Sequence, residues 1–301
     1  AGEPRGSHVL DTLLRLVPDE LYQSILTAGD VLSKTTLVEY IEHDVSNFVV
    51  QTILSTLRTP EQALQISNIL QANSVLIVDA SQRRRGILWR WAEMAVDAFP
   101  ACQPKVTEGL TAALERLVGS NARAAKAGAS TLLGIQDESK DDRLVLNVEG
   151  TRALYHLLRF ERHHGKAVVD SVLALPTNHL ERLAKDGLGS RCVWDALLEE
   201  GATSSSSILA KLLTKLEGRW VSMATDRVGH HVVRKLFTTC TDMKSREVLV
   251  KELAKGVGRL EGNAMGRKIA ALCQVQDYVN KGRGEWEHSI SKAHKEREWL
   301  Q

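Results

Sequence analysis

The sequence predicts an all-α fold, a curved α-solenoid of short helices stacked in repeats. Three observations predict it: apolar residues fall at three- and four-residue spacing through nearly the whole chain, no segment shows strand-like alternation, and one short helix-start pattern recurs along the length. The spacing is plain in Leu10, Leu13, Leu14 and Val17, then in Ala63, Ile66 and Leu70, and again in Leu209, Leu212, Leu213 and Leu216. Helix starts are marked by Thr59-Pro60-Glu61, a capping residue followed by proline at the first helical position, and by Pro18 and Pro176 at similar junctions. Two polar stretches, Gln136 to Asp142 and Thr203 to Ser207, read as surface loops.

The recurring pattern is a small residue, two polar or aromatic residues and an apolar run, usually preceded within three positions by Asp or Asn. The small residue is Gly6, Ser46, Ser81, Gly150, Gly189, Gly229 and Gly266, so the intervals are 35 to 40 residues apart from one of 69. Gly119-Ser120-Asn121 divides that long interval and marks a degenerate eighth unit. The expected organisation is one array over residues 1–301, of about seven to eight repeats. A degenerate or expanded region lies near 100–145, and a C-terminal capping helix near 284–300, with Trp286 and Trp299 closing the end. The first unit lacks the helix that should precede it, so the chain is expected to be a fragment of a longer array.

Each part of the pattern has a physical reading. The small residue lets a neighbouring backbone come close, the Asp or Asn caps free N–H groups, and the apolar run buries against adjacent repeats. The next two residues are expected at the exposed start of the helix, with the residue three further on sharing their face. The resulting triads are Ser7/His8/Asp11, Asn47/Phe48/Gln51, Gln82/Arg83/Gly86, Thr151/Arg152/Tyr155, Ser190/Arg191/Trp194, His230/His231/Arg234 and Arg267/Lys268/Ala271. Every middle member is aromatic, a guanidinium, an imidazole or an ammonium. Such groups at one-repeat spacing suit successive unstacked bases, with polar neighbours reading base edges, so the ladder is expected to be an RNA-binding surface.

Composition agrees with this reading and removes others. The chain has 301 residues, 43% of them apolar, with 39 basic against 37 acidic side chains, which excludes a collagen, a disulfide mini-protein or a disordered tail. Residues 201–301 carry 18 basic and 11 acidic side chains, an excess that suits a polyanionic partner. No apolar run approaches a membrane span, and no basic-then-apolar signal opens the chain. Cys102, Cys192, Cys240 and Cys273 are scattered, with neither CxxC pairs nor a His set around them, so no zinc site or disulfide framework is expected and a reducing compartment fits. His163-His164 and His230-His231 are adjacent, so their side chains are expected to diverge and bind no metal. Phosphate-cradling glycine motifs are missing, and no enzyme or cofactor is expected. Arg83-Arg84-Arg85 suits a localisation patch, a phosphate clamp or a solvated turn, while Trp89 and Trp91 are expected in the core.

Asp186-Gly187-Leu188-Gly189-Ser190-Arg191-Cys192-Val193, Asp226-Arg227-Val228-Gly229-His230-His231-Val232-Val233 and Ser46-Asn47-Phe48-Val49-Val50-Gln51 resemble the base-reading helix of the Pumilio (PUF) repeat family, and the likeness extends over almost the whole chain. Leu216-Glu217-Gly218-Arg219-Trp220-Val221, Asn263-Ala264-Met265-Gly266-Arg267-Lys268 and Glu285-Trp286 are similar to a narrower group, the nucleolar Pumilio-like ribosome-biogenesis factors of the "nucleolar protein nine" type. The resemblance implies three-helix repeats, a nucleolar site of action, binding to precursor small-subunit ribosomal RNA and contact with pre-ribosomal assembly proteins, by a monomer and away from membranes. It also implies that Asn47 with Gln51, around Phe48, reads uracil. The other triads depart from the family's standard pairs, and Gly86 and Ala271 supply no third reader, so sequence selection is expected to be partial. Two alternatives stand beside this reading: a HEAT- or armadillo-like protein scaffold, and an ordinary PUF regulator of messenger RNA.

Overall fold

Position-by-position burial explains why these sequences stack as repeats. The computed structural model describes residues 4–79, 84–119, 121–135, 144–199 and 206–298, and the chain divides into two compact units, Ala1–Ala174 and Leu175–Gln301. No strand occurs among the described residues.

In the first unit, α1 (Pro4–Leu16) is followed by the triplet α2 (Asp19–Ala28), α3 (Lys34–Glu42) and α4 (Ser46–Thr56). A second triplet is α5 (Pro60–Ala72), α6 (Ser74–Val78) and α7 (Arg85–Asp97). After a short 3₁₀ turn at Pro100–Cys102 comes a third, α8 (Gln103–Val118), α9 (Asn121–Leu133) and α10 (Val148–Leu158), and then α11 (Arg162–Ala174). Helices α1, α4, α7 and α10 pack side by side in that order. Gly119 is the left-handed C-cap of α8, with φ 92°, and Asn121 opens α9. The long interval in the sequence pattern is thus filled by one expanded repeat whose first two helices are α8 and α9.

The second unit opens with α12 (Thr177–Lys185) and α13 (Gly187–Gly189), which runs through a π-turn at Ser190–Trp194 into α14 (Asp195–Leu198). Then come α15 (Ser206–Lys215), α16 (Trp220–Ala224) and α17 (Gly229–Thr239), followed by α18 (Met243–Lys255), α19 (Val257–Glu261) and α20 (Ala264–Leu272). The last helix, α21 (Val275–Glu298), bends at Gly282, where φ is 81°. Trp286, beyond the bend, is fully buried and donates its indole N–H to the Cys273 carbonyl at 2.9 Å, which ties α21 to the end of α20. Trp299, Gln136 to Asp142 and Thr203 to Ser205 lie outside the described residues, while Ser206 and Ser207 begin α15 and are not loop.

The expected helix caps are present. Thr59 and Gln62 close a reciprocal capping box with Pro60 at the first helical position, and Pro18 and Pro176 precede α2 and α12. Trp91 is fully buried and bonds Ser67 Oγ at 2.9 Å. Trp89, by contrast, is half-exposed, which corrects its expected place in the core. None of the four cysteines is in a disulfide, and burial pushes the Cys240 thiol up to about 11 and also raises that of Cys273. No described helix is long and apolar enough to cross a membrane.

The small residue and its Asp or Asn work together. Asp226 Oδ1 accepts from the backbone N–H of Val228 and Gly229, both at 2.8 Å, and Asp186 and Asn263 repeat the arrangement before Gly189 and Gly266. Asn147 caps Gly150 at 2.7 Å. Before Ser46 it is His43 Nδ1, and not Asp44, that accepts from Val45 and Ser46. A Cβ on Gly229 would stand 2.8 Å from the Met223 carbonyl oxygen, and one on Gly189 or Gly266 would stand 2.6 Å from that of Leu183 or Leu260. Only a residue without a side chain permits so close a backbone approach.

This arrangement predicts two separable losses of stability. Gly229→Ala should cost roughly 1–3 kcal/mol through overpacking against backbone. Asp226→Ala should cost about 1 kcal/mol through the lost cap. Chemical denaturation of each variant measures both, and an unchanged midpoint for Gly229→Ala would show that the helices separate freely at this contact.

Candidate functional site

Seven described helices carry the ladder positions: α1, α4, α7, α10, the π-turned helix of α13 and α14, α17 and α20. On five of them, α1, α4, α10, the π-turned helix and α17, the first turn shows one burial rule: the residue after the small one is turned inward, and the next one faces solvent.

The first members of the triads are therefore not at an exposed helix start, as the spacing led us to expect. Ser7, Asn47, Thr151, Ser190 and His230 are all buried, Thr151 completely. Three of these side chains serve the helix start. Asn47 Nδ2 donates to the carbonyls of His43 and Asp44, Thr151 donates to Asn147 O at 2.6 Å, and the His230 ring lies 3.1 Å from Asp226 O. Among the described first members Arg267 alone is exposed, and it donates to Glu261 O. The middle members behave as expected, since His8, Phe48, Arg152, Arg191, His231 and Lys268 are all exposed. Phe48 is 62% exposed, an unusual state for a phenyl ring with no polar group.

In the first unit the ladder opens into a slot of about 430 Å³ lined by Ser7, His8, Asp11, Phe48, Gln51 and Arg90 among others. Asp11 accepts from the Thr52 hydroxyl of the next repeat and pairs with Arg15 at 3.2 Å. The Thr52 bond foremost, with Arg15 adding to it against the opposing effect of burial, holds the Asp11 carboxyl below its usual range. Gln51 Nε2 donates to Asn47 Oδ1 at 3.2 Å, so the buried Asn47 positions Gln51. A Cβ on Gly86 would stand 2.6 Å from Gln51 Oε1, so Gly86 makes room for the carboxamide of the neighbouring repeat and is not itself a reader.

The third repeat carries residues that the sequence pattern missed. Gln82 and Arg83 lie outside the described residues, and α7 begins after them at Arg85. With Leu88 in the place of the small residue, the buried pair Trp91 and Ala92 and the half-buried Glu93 match α4 and α10, which puts Trp89, Arg90 and Glu93 at the three ladder positions, with Trp89 and Arg90 both half-buried. Arg90 lies over the Trp89 ring at 4.0 Å, and Arg152 of the next repeat lies over it at 4.5 Å. Arg90 also pairs with Glu93 at 2.5 Å, and Glu93 faces His156 at 3.9 Å. Tyr155, one position before His156, is half-buried with Arg159 over its ring at 5.2 Å. The signal that could have found Trp89 and Arg90 was the apolar period of α7, not the small residue.

In the second unit a slot of about 1050 Å³ is lined by Ser190, Arg191, Asp195, His231, Arg234 and Lys235, with Arg227 at its edge. Trp194, expected here as a reader, is fully buried and donates to Leu180 O at 3.3 Å, so that assignment is corrected. The π-turn widens the helix by one residue and gives the position to Asp195. Lys235 Nζ donates to both Asp195 O, at 3.1 Å, and Asp195 Oδ1, at 3.0 Å. Arg234 is exposed and lines the slot, and Ala271 offers only a methyl group.

Adjacent histidines do not diverge as expected. The His163 and His164 rings lie 3.8 Å apart, those of His230 and His231 lie 3.9 Å apart, and Glu161, His163 and His164 bring their potential ligand atoms within 4.8 Å of one another at the start of α11. This last group lines neither slot.

Comparison with known proteins gives this geometry a setting. The family model described as the NOP9-like PUF repeat domain matches residues 1–268. A protein of Schizosaccharomyces pombe named Nucleolar protein 9 is 26% identical over 144 residues, covering 46% of this chain and 21% of its own length. One of the same name from Pyrenophora tritici-repentis is 23% identical over 289 residues, covering 93% of this chain and 39% of its own. The chain thus spans well under half the length of these relatives. Among solved structures, "Structure of APUM23-GGAGUUGACGG" superposes with a TM-score of 0.78 at 19% identity, covering 96% of this chain and 54% of that one. "Crystal Structure of PUF-8 in Complex with PBE-RNA" gives 0.62 at 15%, covering 96% and 71%. Both share the repeat-solenoid fold.

Two imidazoles at the ladder predict a pH dependence. Burial, foremost, holds His156 below its ordinary value of 6.5 against the opposing pull of Glu93 and Asp97. Burial, then His230 and Arg234, does the same to His231. Both side chains bind a proton less readily folded than unfolded, so their share of stability is full above about pH 6.5 and is lost as pH falls through the folded values. Denaturation midpoints at pH 7.5 and 5.5 should differ in that direction, and His156→Gln should shrink the difference.

Proposed function

Because this chain belongs to the NOP9-like PUF repeat family, we propose that it binds single-stranded RNA along its ladder, as part of a nucleolar protein that acts in ribosome biogenesis on precursor small-subunit ribosomal RNA. The observation that carries the reading is the inside-outside rule at the ladder. Polar first members are withdrawn to hold the helix starts, while planar or cationic middle members stand exposed on successive helices and open into slots. An unstacked base needs a flat or cationic platform on its face and hydrogen-bonding groups at its edge, and each slot holds both. In the first slot these are His8 and Phe48 with Asp11 and Gln51; in the second, Arg191 and His231 with Asp195 and Arg234.

The relatives' shared name supports the nucleolar setting, and the PUF-8 structure, described as a complex with RNA, supports the ligand class. Gln51, held by Asn47 beside Phe48, offers a carboxamide to a base edge, and uracil is the base that the family resemblance assigns to this pair. The cationic second slot and the exposed Arg267 and Lys268 supply the sequence-independent part of the affinity through phosphates. Non-catalytic action, pre-ribosomal protein partners and a monomeric state belong to the same proposal.

A salt titration of single-stranded RNA binding tests it. Affinity should fall steeply with salt, and Arg191→Ala should cost roughly 1–3 kcal/mol of binding while leaving the fold intact. Replacing Arg267 and Lys268 together with Ala should weaken all RNA sequences about equally and flatten the salt slope. Absent or salt-insensitive binding would reject the reading in favour of a protein scaffold.

A further inference from the structure

In a regular helix the residue four after Ser190 would stand beside it on the ladder face, and that residue is Trp194. Here the helix widens to a π-turn over Ser190–Trp194, and the indole enters the core, bonded to Leu180 O. Asp195, one residue later, takes the place above Ser190 and lines the slot together with Arg191, His231 and Lys235. Its carboxylate is fixed from the neighbouring repeat, because Lys235 Nζ donates both to Oδ1 and to the backbone carbonyl of the same residue. The slot edge thus presents an ammonium donor beside a carboxylate acceptor, next to an exposed guanidinium and an exposed imidazole that can flank a ring.

We propose that the Asp195–Lys235 pair selects guanine at this repeat, an assignment that rests on the single-stranded RNA binding proposed above. The argument is one of hydrogen-bond patterns. Guanine's edge carries the O6 acceptor beside the N1–H and N2–H₂ donors, so the ammonium meets O6 while the carboxylate accepts from both donors. Uracil offers one donor flanked by two acceptors, and its second carbonyl would face the carboxylate. Cytosine and adenine place a ring-nitrogen acceptor where guanine has N1–H, and the carboxylate repels it. The π-turn is what makes this selection available, since an unbroken α-helix would put an indole in the same place.

The test uses the whole chain and a single-stranded RNA library. Selected RNAs should share a register at which guanine is preferred about tenfold or more over each other base. Asp195→Asn, which keeps the side-chain shape and replaces one acceptor with a donor, should reduce that preference to less than about threefold at this register while leaving the others unchanged. Inosine, which lacks the N2 amine, should bind the unaltered protein about tenfold more weakly than guanine at the same place, a measurement that needs no variant to fold. Retained guanine preference in Asp195→Asn, an equal loss for all four bases, or no penalty for inosine would overturn the assignment and leave RNA binding standing. Failure of the unaltered protein to bind any RNA of the library would reject the functional reading itself, and this assignment with it.

Discussion

The structure depends on one close contact, the first turn of a ladder helix pressed against a carbonyl in the last turn of the helix before it. A Cβ at Gly189, Gly229 or Gly266 would collide with that carbonyl oxygen, and the Asp or Asn three residues earlier ties down the same turn. With the backbone fixed there, the two following side chains have set directions. On five of the ladder helices one goes inward, where Thr151 and Asn47 spend their polar groups on nearby carbonyls, and the other goes outward; on α20 both Arg267 and Lys268 face solvent. The exposed ladder is therefore a by-product of how the repeats are spaced, and its chemistry is free to vary because it carries little of the fold.

Much of this was legible in the residues. The small residue with its cap is a strong local signal, and it located six of the seven described ladder helices and their outward-facing side chains. The third repeat escaped because Leu88 stands where the others have a small residue, so a search for Gly or Ser settled on Ser81 instead. The register on α7 is recorded only in its apolar period. Trp194 escaped for another reason: a π-turn leaves no mark in composition, and only burial decides whether a helix prefers an extra residue per turn to an exposed indole. The inward turn of Ser7, Asn47, Thr151, Ser190 and His230 was likewise invisible, because a polar residue at a helix start looks the same whether it faces water or the preceding carbonyls.

The two slots differ in electrostatic character although both lie at the ladder positions. In the first unit Asp11 and Glu93 are each engaged by arginines, and the lining mixes a phenyl ring, a carboxamide and an imidazole. In the second unit Arg191, Arg227, Arg234 and Lys235 surround the single carboxylate of Asp195. This matches the excess of basic over acidic side chains in residues 201–301, 18 against 11. Attraction to a polyanion is weighted toward the second unit, whereas discrimination by shape and neutral hydrogen bonds is better served in the first.

The indole of Trp89, in contact with guanidiniums from two successive repeats, gives the molecule a built-in optical gauge. Trp91, Trp194, Trp220 and Trp286 are sealed in apolar surroundings, and among the described tryptophans Trp89 alone touches water. Its emission is the one most open to collisional quenchers and most sensitive to the charge of its two neighbours. Anything that parts Arg90 from Arg152 changes the field on that ring, so the state of this repeat is written in the colour of its own fluorescence.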